Sequence, residues 1–258
     1  MLGRARSSAW AKRHREELNA EGRGGEYRDA TCPHCDAVVD LTGFPASPQV
    51  SCEFCHSLSH IDPLEGRPKD DSKYRLCDEC GMFSKPRKFT IFYFYFLLVF
   101  WGFQQRTTWR CPGCMRGDAW KMLFGNLLFV IGVPVAIVQL IRAYGGTDVG
   151  GTYPGLDSAN LKARAGKFKA AVADYQKILE IQPVAAGVKY NIAHAFLQRE
   201  DWQGASQMLG YALHDCANYQ PAANALAACY ENLGEEEKLV ALKEQWNVVD
   251  EELETLSG

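Results

Sequence analysis

The chain has 258 residues, 47% hydrophobic and 23% charged, with a formal net charge of −3. That is room for two small domains with connecting segments, in the composition range of a folded protein. The charge is divided, with a net of +3 over residues 1–121 and −6 over 142–258; two different surroundings are implied, and neither excess by itself argues for nucleic acid.

Residues 1–30 are polar, with a short helical possibility around Trp10 to Leu18 ended by the Glu-Gly-Arg-Gly-Gly run at 21–25. A flexible arm is expected there. Its first fifteen residues carry Arg4, Arg6, Lys12, Arg13 and Arg15 but no apolar stretch of the kind a cleavable signal peptide has. A reducing cytosol is therefore expected for the part that follows, which is rich in thiols.

Eight of the ten cysteines form four C-x-x-C pairs: Cys32/Cys35, Cys52/Cys55, Cys77/Cys80 and Cys111/Cys114. A secreted disulfide framework seldom repeats one spacing four times, whereas zinc knuckles do. In 31–62 the knuckles stand sixteen residues apart, the length of a β-hairpin. Thr31-Cys32-Pro33-His34-Cys35 and Val50-Ser51-Cys52-Glu53-Phe54-Cys55 resemble a zinc ribbon. Four thiolates around one ion leave no open position, so such a site is structural. The expected cofactor is Zn2+ at two structural sites, with sequential pairing favoured over a cross-braced pairing of the first and third knuckles. A rubredoxin-like iron site uses similar knuckles. Thioredoxin-type chemistry needs a C-x-x-C in a βαβ context, which is missing. His34, His56 and His60 lie nearby and are left out of the metal set.

Residues 63–73 are expected to be a polar linker, and 74–121 to repeat the two-knuckle plan with an apolar insertion. The fifteen residues 89–103 hold no charge and as a helix would be about 22 Å long, short of a membrane crossing. If Cys77/Cys80 and Cys111/Cys114 share one metal, both ends of the insertion lie on one side. It then re-enters, lies along the membrane interface, or forms a pair of strands. Lys85, Arg87 and Lys88 before it and Arg106 and Arg110 after it suit a face near anionic headgroups. An apolar segment between two C-x-x-C halves over about Tyr74–Asp118 resembles the LITAF-like membrane-inserted zinc domain, which implies membrane lipid as a partner. The chain departs from that family at Trp109-Arg110, where a His is usual.

Residues 122–141 hold no charge over twenty positions, which predicts a transmembrane helix about 30 Å long; a buried core helix is the alternative. More basic residues precede it than follow it, so the positive-inside rule places the ribbons in the cytoplasm and the remainder on the opposite side. A Gly-rich linker is expected over 142–155.

Written at a period of 34, residues 156–258 align Ala159, Ala193 and Ala227, Gly166 and Gly234, Phe168 and Trp202, Ala171 and Ala205, and Phe196 and Tyr230. The run from Gly166 to Pro183 resembles the tetratricopeptide family. That resemblance implies helical pairs that bury their apolar faces on one another and display a concave surface for a protein partner. Residues 235–258 are expected to be a polar capping helix. Asn160 and Asn191 sit where members that grip a carboxylate terminus place asparagines, without the accompanying lysines. Cys216 and Cys229 are expected to be core residues.

The fold class expected is multidomain: small β zinc ribbons, membrane-embedded hydrophobic segments, and an all-α tetratricopeptide-type helical repeat. No nucleophile–base pair, phosphate loop or open metal site is legible, so no enzyme and no small-molecule substrate are expected. The function expected is a membrane-anchored zinc-binding scaffold or adaptor that recruits a protein partner through its repeat. A soluble zinc-ribbon nucleic-acid-binding protein and a membrane redox protein are the alternatives.

Overall fold

The structure is a computed structural model that describes residues 2–61, 71–97, 100–127, 133–145 and 151–254. The first element corrects the expectation of a flexible arm. Helix α1 (Leu2–Ala20) packs on the first ribbon. Ser7, Ala11, His14 and Leu18 recur at helical spacing and are all buried. Ser7 Oγ accepts the Val38 N–H at 3.2 Å, and His14 Nδ1 lies 2.6 Å from Asp40 Oδ2. Half of that stripe is polar, so apolar periodicity does not register it.

Three short antiparallel hairpins follow: β1 (Asp29–Thr31) with β2 (Val38–Asp40), β3 (Gln49–Ser51) with β4 (Leu58–His60), and β5 (Arg75–Leu76) with β6 (Phe83–Ser84). Each turn holds one C-x-x-C. The residue after its second cysteine adopts a left-handed conformation: Asp36 (φ 56°), His56 (φ 58°) and Gly81 (φ 68°). That kink lets the first cysteine's N–H reach back across the turn, as Cys32 does to Ala37 at 2.8 Å and Cys77 does to Met82 at 2.9 Å. Most of the expected linker at 63–73 lies outside the described residues. Its end is ordered, since buried Asp71 accepts the His60 N–H at 2.8 Å.

The insertion 89–103 is neither a re-entrant helix nor an interfacial one. It belongs to a long antiparallel ribbon of β7 (Arg87–Leu97) and β8 (Phe100–Arg110), paired from Arg87↔Arg110 to Leu97↔Phe100. Phe, Tyr, Ile and Thr favour extended backbone, and a hairpin returns both ends to one place as a shared cluster requires.

The expected transmembrane helix 122–141 is not one helix. Its residues are divided between α2 (Pro112–Asn126) and α3 (Val133–Tyr144), and 128–132 lie outside the described residues. The two helices lie side by side. Arg116 Nε reaches the Ala143 carbonyl at 3.4 Å, and Trp120 Nε1 donates to Tyr144 Oη at 3.1 Å. On one straight helix residues 116 and 143 would stand about 40 Å apart, so the chain reverses between them. Among the described residues no helix is long and apolar enough to cross a membrane. Buried Asn126 donates to the carbonyls of Phe92 and Met122, an anchor to β7 that an uncharged count cannot reveal.

Three helical pairs complete the chain: α4 (Leu156–Arg164) with α5 (Phe168–Ile181), α6 (Ala186–Leu197) with α7 (Trp202–Asp215), and α8 (Gln220–Leu233) with α9 (Glu236–Glu254). Ala159, Ala171, Ala193 and Ala205 are fully buried where the helices approach. At the turn inside each pair the period of 34 recurs as backbone conformation: Gly166 (φ 71°), Glu200 (φ 59°) and Gly234 (φ 69°) are left-handed. The last helix is less polar than expected of a cap, because Trp246 is buried against Phe44 with ring centroids 5.0 Å apart.

Ribbons and repeat share one core. Leu58, Tyr74, Met82 and Phe83 are buried with Tyr153, Leu156 and the repeat's own alanines. Tyr153 lies in the expected linker 142–155, of which 146–150 are outside the described residues; its ring packs edge-on against Tyr74 and Phe83.

Candidate metal centres

The first cluster gathers Cys32, Cys35, Cys52 and Cys55, the second Cys77, Cys80, Cys111 and Cys114, with the sulfurs of each set within 4.8 Å of one another. The sequential pairing is the one formed. Cys32 and Cys55 sulfurs stand 3.6 Å apart, Cys35 and Cys52 3.7 Å, and Cys80 and Cys111 3.9 Å. Around a tetrahedral ion with Zn–S bonds of about 2.3 Å, neighbouring sulfurs are about 3.8 Å apart. The donor set, all soft thiolate, and its spacing therefore fit zinc.

Electrostatics give the same reading. Four close sulfurs cannot all ionise unaided. Hydrogen bonds from Cys52 and Cys55 push the Cys32 thiol far down, and the same sharing pushes Cys52 far up. In the second cluster Cys77 is driven down by Cys111 and Cys114, while Cys111 is driven up by Cys114 and Cys77. A divalent cation removes the conflict, since it favours the thiolate at every position.

The two sites differ in what surrounds them. In the first, Ser57 Oγ lies 3.1 Å from the Cys55 sulfur and 3.5 Å from that of Cys32. In the second, Cys111 caps α2 with Pro112 as its first residue, and the Cys114 N–H points at the Cys111 sulfur from 3.4 Å. Thiolates at a helix N-terminus meet the positive end of its dipole. A cation from the repeat adds to this, as Arg164 Nη1 stands 3.2 Å from the Cys114 sulfur. Neither Ser57 nor Arg164 is flagged by cysteine spacing. His34, His56 and His60 are outside both sets, and His60 bonds Asp71 instead. Trp109-Arg110 is built into the second site's wall. Trp109 lies under Arg75 and Lys88, and Arg110 is buried and paired with Glu79 and Asp118.

The asparagines of the repeat are also committed. Asn191 Oδ1 accepts the Phe83 N–H at 2.8 Å, and its Nδ2 donates to the Phe83 carbonyl at 2.8 Å. Asn160 Nδ2 donates to the same carbonyl at 2.9 Å and is itself held by Tyr175. The Phe83 ring lies where a Cβ on Gly187 would fall, 2.3 Å from its nearest atom, so only glycine fits there. These residues hold the second ribbon's own hairpin, at the positions where carboxylate-gripping members of the resembling family place asparagines. Cys216 and Cys229 are buried core residues, as expected.

No family model matches the chain, and the LITAF-like resemblance finds no support there. No curated protein matches it either. Solved structures of MamA are similar over part of the chain. MamA AMB-1 is 16% identical, covering 55% of this chain and 74% of that one with a TM-score of 0.33. MamA MSR-1 is 17% identical, covering 54% and 77% with a TM-score of 0.33. Likeness at that level carries no argument about function.

Proposed function

We propose that the protein is a non-enzymatic adaptor in which two structural zinc ions, at Cys32/Cys35/Cys52/Cys55 and Cys77/Cys80/Cys111/Cys114, staple the ribbons to a tetratricopeptide-type repeat. The observation that carries this reading is the pair of closed four-thiol clusters beside a repeat whose inner asparagines hold a ribbon. Four thiolates per ion leave no coordination position for substrate or water, which supports structure over hydrolysis. The thiol chemistry supports a reducing compartment for both ribbons. The repeat's inner face is occupied by the ribbon, so the partner's place is sought elsewhere. A cavity of about 680 Å³ opens between ribbon 1, α1 and the end of the repeat, lined by Trp10, Phe44, Glu53, His56, Gln220 and Trp246. Aromatic walls with a few polar groups suit an extended segment of a protein partner. A photo-crosslinker at His56 or Gln220, both exposed, should capture a protein, and one at exposed Ile181 on α5 should not. Capture only at Ile181 would overturn this placement.

A further inference from the structure

We infer that the cavity between ribbon 1, α1 and the end of the repeat takes an arginine side chain from an extended segment of a partner protein. The assignment rests on the adaptor reading, with its zinc at the first cluster, and adds the chemistry of the partner. Buried Phe44 and Trp246 line the cavity at depth, their rings in an edge-to-face pair. Half-buried Trp10 lines it from α1, while Glu53, His56 and Gln220 are exposed and form its mouth. About 680 Å³ is more than one side chain fills, so backbone on either side of the anchor is accommodated as well.

The charge in the wall says which side chain enters. Three carboxylates line the cavity, Asp40, Glu53 and Asp78, against one permanent cation among the described residues, Arg75. Asp40 is already engaged: its Oδ1 accepts the Thr42 N–H at 2.7 Å, and its Oδ2 lies 2.6 Å from His14 Nδ1. Asp78 accepts the Trp109 N–H at 2.7 Å and stands 3.6 Å from Arg75, whose charge it offsets. Arg28, outside the lining, donates to the Phe44 carbonyl at 2.7 Å. Glu53 has neither a hydrogen bond nor an ion pair among the described residues. Cys52 lines the same wall, and four thiolates around one divalent ion leave about two negative charges there. The wall therefore carries excess negative charge, with one carboxylate left to pair.

The aromatic walls beside that carboxylate select the kind of cation. A calcium or magnesium ion needs several oxygens at once, and Glu53 is the one free carboxylate of this lining. An organic cation is held instead by ring faces, with its apolar stem packed against them. Arginine fits better than lysine. Its guanidinium is flat and weakly hydrated, and it can lie on an indole while its fork meets both Glu53 oxygens. An acidic or phosphorylated segment would meet repulsion in the same place.

The test compares two pools of short peptides on the immobilised, zinc-loaded full chain. Both have random uncharged flanks, one with arginine at the centre and the other with its neutral isostere citrulline. The wild type should retain the arginine pool about tenfold better. Glu53→Gln should bring the two pools within about twofold of each other, with zinc content and circular dichroism unchanged. Gln220→Arg leaves the knuckle untouched and sets the chain's own guanidinium at the mouth, so it should lower retention of the arginine pool as much. Equal retention of both pools by the wild type, or an arginine preference that survives either substitution, overturns the inference. If a crosslinker at His56 captures a protein while the pools are retained equally, the adaptor reading stands and the arginine assignment falls. An arginine preference with no capture at His56 or Gln220 does the reverse.

Discussion

The ribbon half and the repeat half face one difficulty and meet it differently. Neither a six-residue hairpin nor a single helical pair can bury an apolar face alone. The first ribbon's core is Ala30, Cys32, Ala37, Val39, Leu41, Val50 and Cys52, so two of its seven core side chains belong to the four-thiol cluster. The repeat solves the problem by stacking, with alanines at the contacts and each pair covering the next. In the proposed reading metal ligation by the four-thiol cluster replaces neighbours in the first case, and neighbours replace metal in the second. The halves meet at Phe83, whose backbone is bound like a strand partner by Asn160 and Asn191.

The comparison breaks most severely at the metal. Replacing Cys32→Ser with Cys35→Ser should remove one of two zinc ions and unfold residues 29–60, at a cost on the order of 10 kcal/mol of apparent binding free energy. Because Gln49 accepts the Ala186 N–H and Asn218 pairs with Ser51, α6 and the start of α8 should lose some protection while α4 and α5 keep theirs. Elemental analysis with hydrogen exchange is the measurement. Persistent protection across 29–60 in the variant would show that the ribbon does not need its ligands.

A smaller break is expected at the joint. Asn191→Ala leaves both main-chain groups of buried Phe83 without their amide partner, with Asn160 still on the carbonyl. The cost should be about 2–4 kcal/mol, read as a shift in urea midpoint. An unchanged midpoint would mean that the halves are joined by apolar packing alone.

Arg164→Gln sharpens the contrast between the clusters themselves. The guanidinium is a partner of the Cys114 sulfur alone in the second site, and partners of this kind change metal affinity about 10–100-fold. Competition with a chromogenic chelator should release the second ion about tenfold faster while the first is unaffected. Equal release of both would place the effect in global stability instead.

Local chemistry was legible before the fold. Cysteine spacing marks all eight members of the clusters, and the period of 34 marks the alanines and turn glycines of the repeat. What escaped depends on contacts between distant segments. The α1 stripe is half polar, and its meaning comes from Val38 and Asp40 across the ribbon. The uncharged run at 122–141 reads as one span because charge counting ignores the chain reversal that Asn126, Met122 and Ala136 stabilise against β7. Asn160 and Asn191 are recognisable as grips, but what they grip lies 77 and 108 residues away.

The finest test uses the one backbone feature that both halves share. Each of the three knuckles held in a hairpin turn, and each helical pair, turns through a left-handed residue. Glycine occupies that place at Gly81, Gly166 and Gly234, whereas Asp36, His56 and Glu200 do not have its freedom. A side chain in that conformation costs roughly 1–2 kcal/mol, and glycine gives back roughly 0.5–1 kcal/mol through the unfolded chain. Glu200→Gly should therefore stabilise the repeat by about 0.5–1 kcal/mol, a rise of about 2–4 °C in Tm for each kcal/mol. His56→Gly should give a similar gain in the first ribbon, but only where zinc is bound, because the turn is formed around the ion. With chelator present the His56→Gly gain should vanish and the Glu200→Gly gain should remain. If both gains survive chelation, the knuckle turn forms without its metal, and the contrast between a ligand-built half and a neighbour-built half fails.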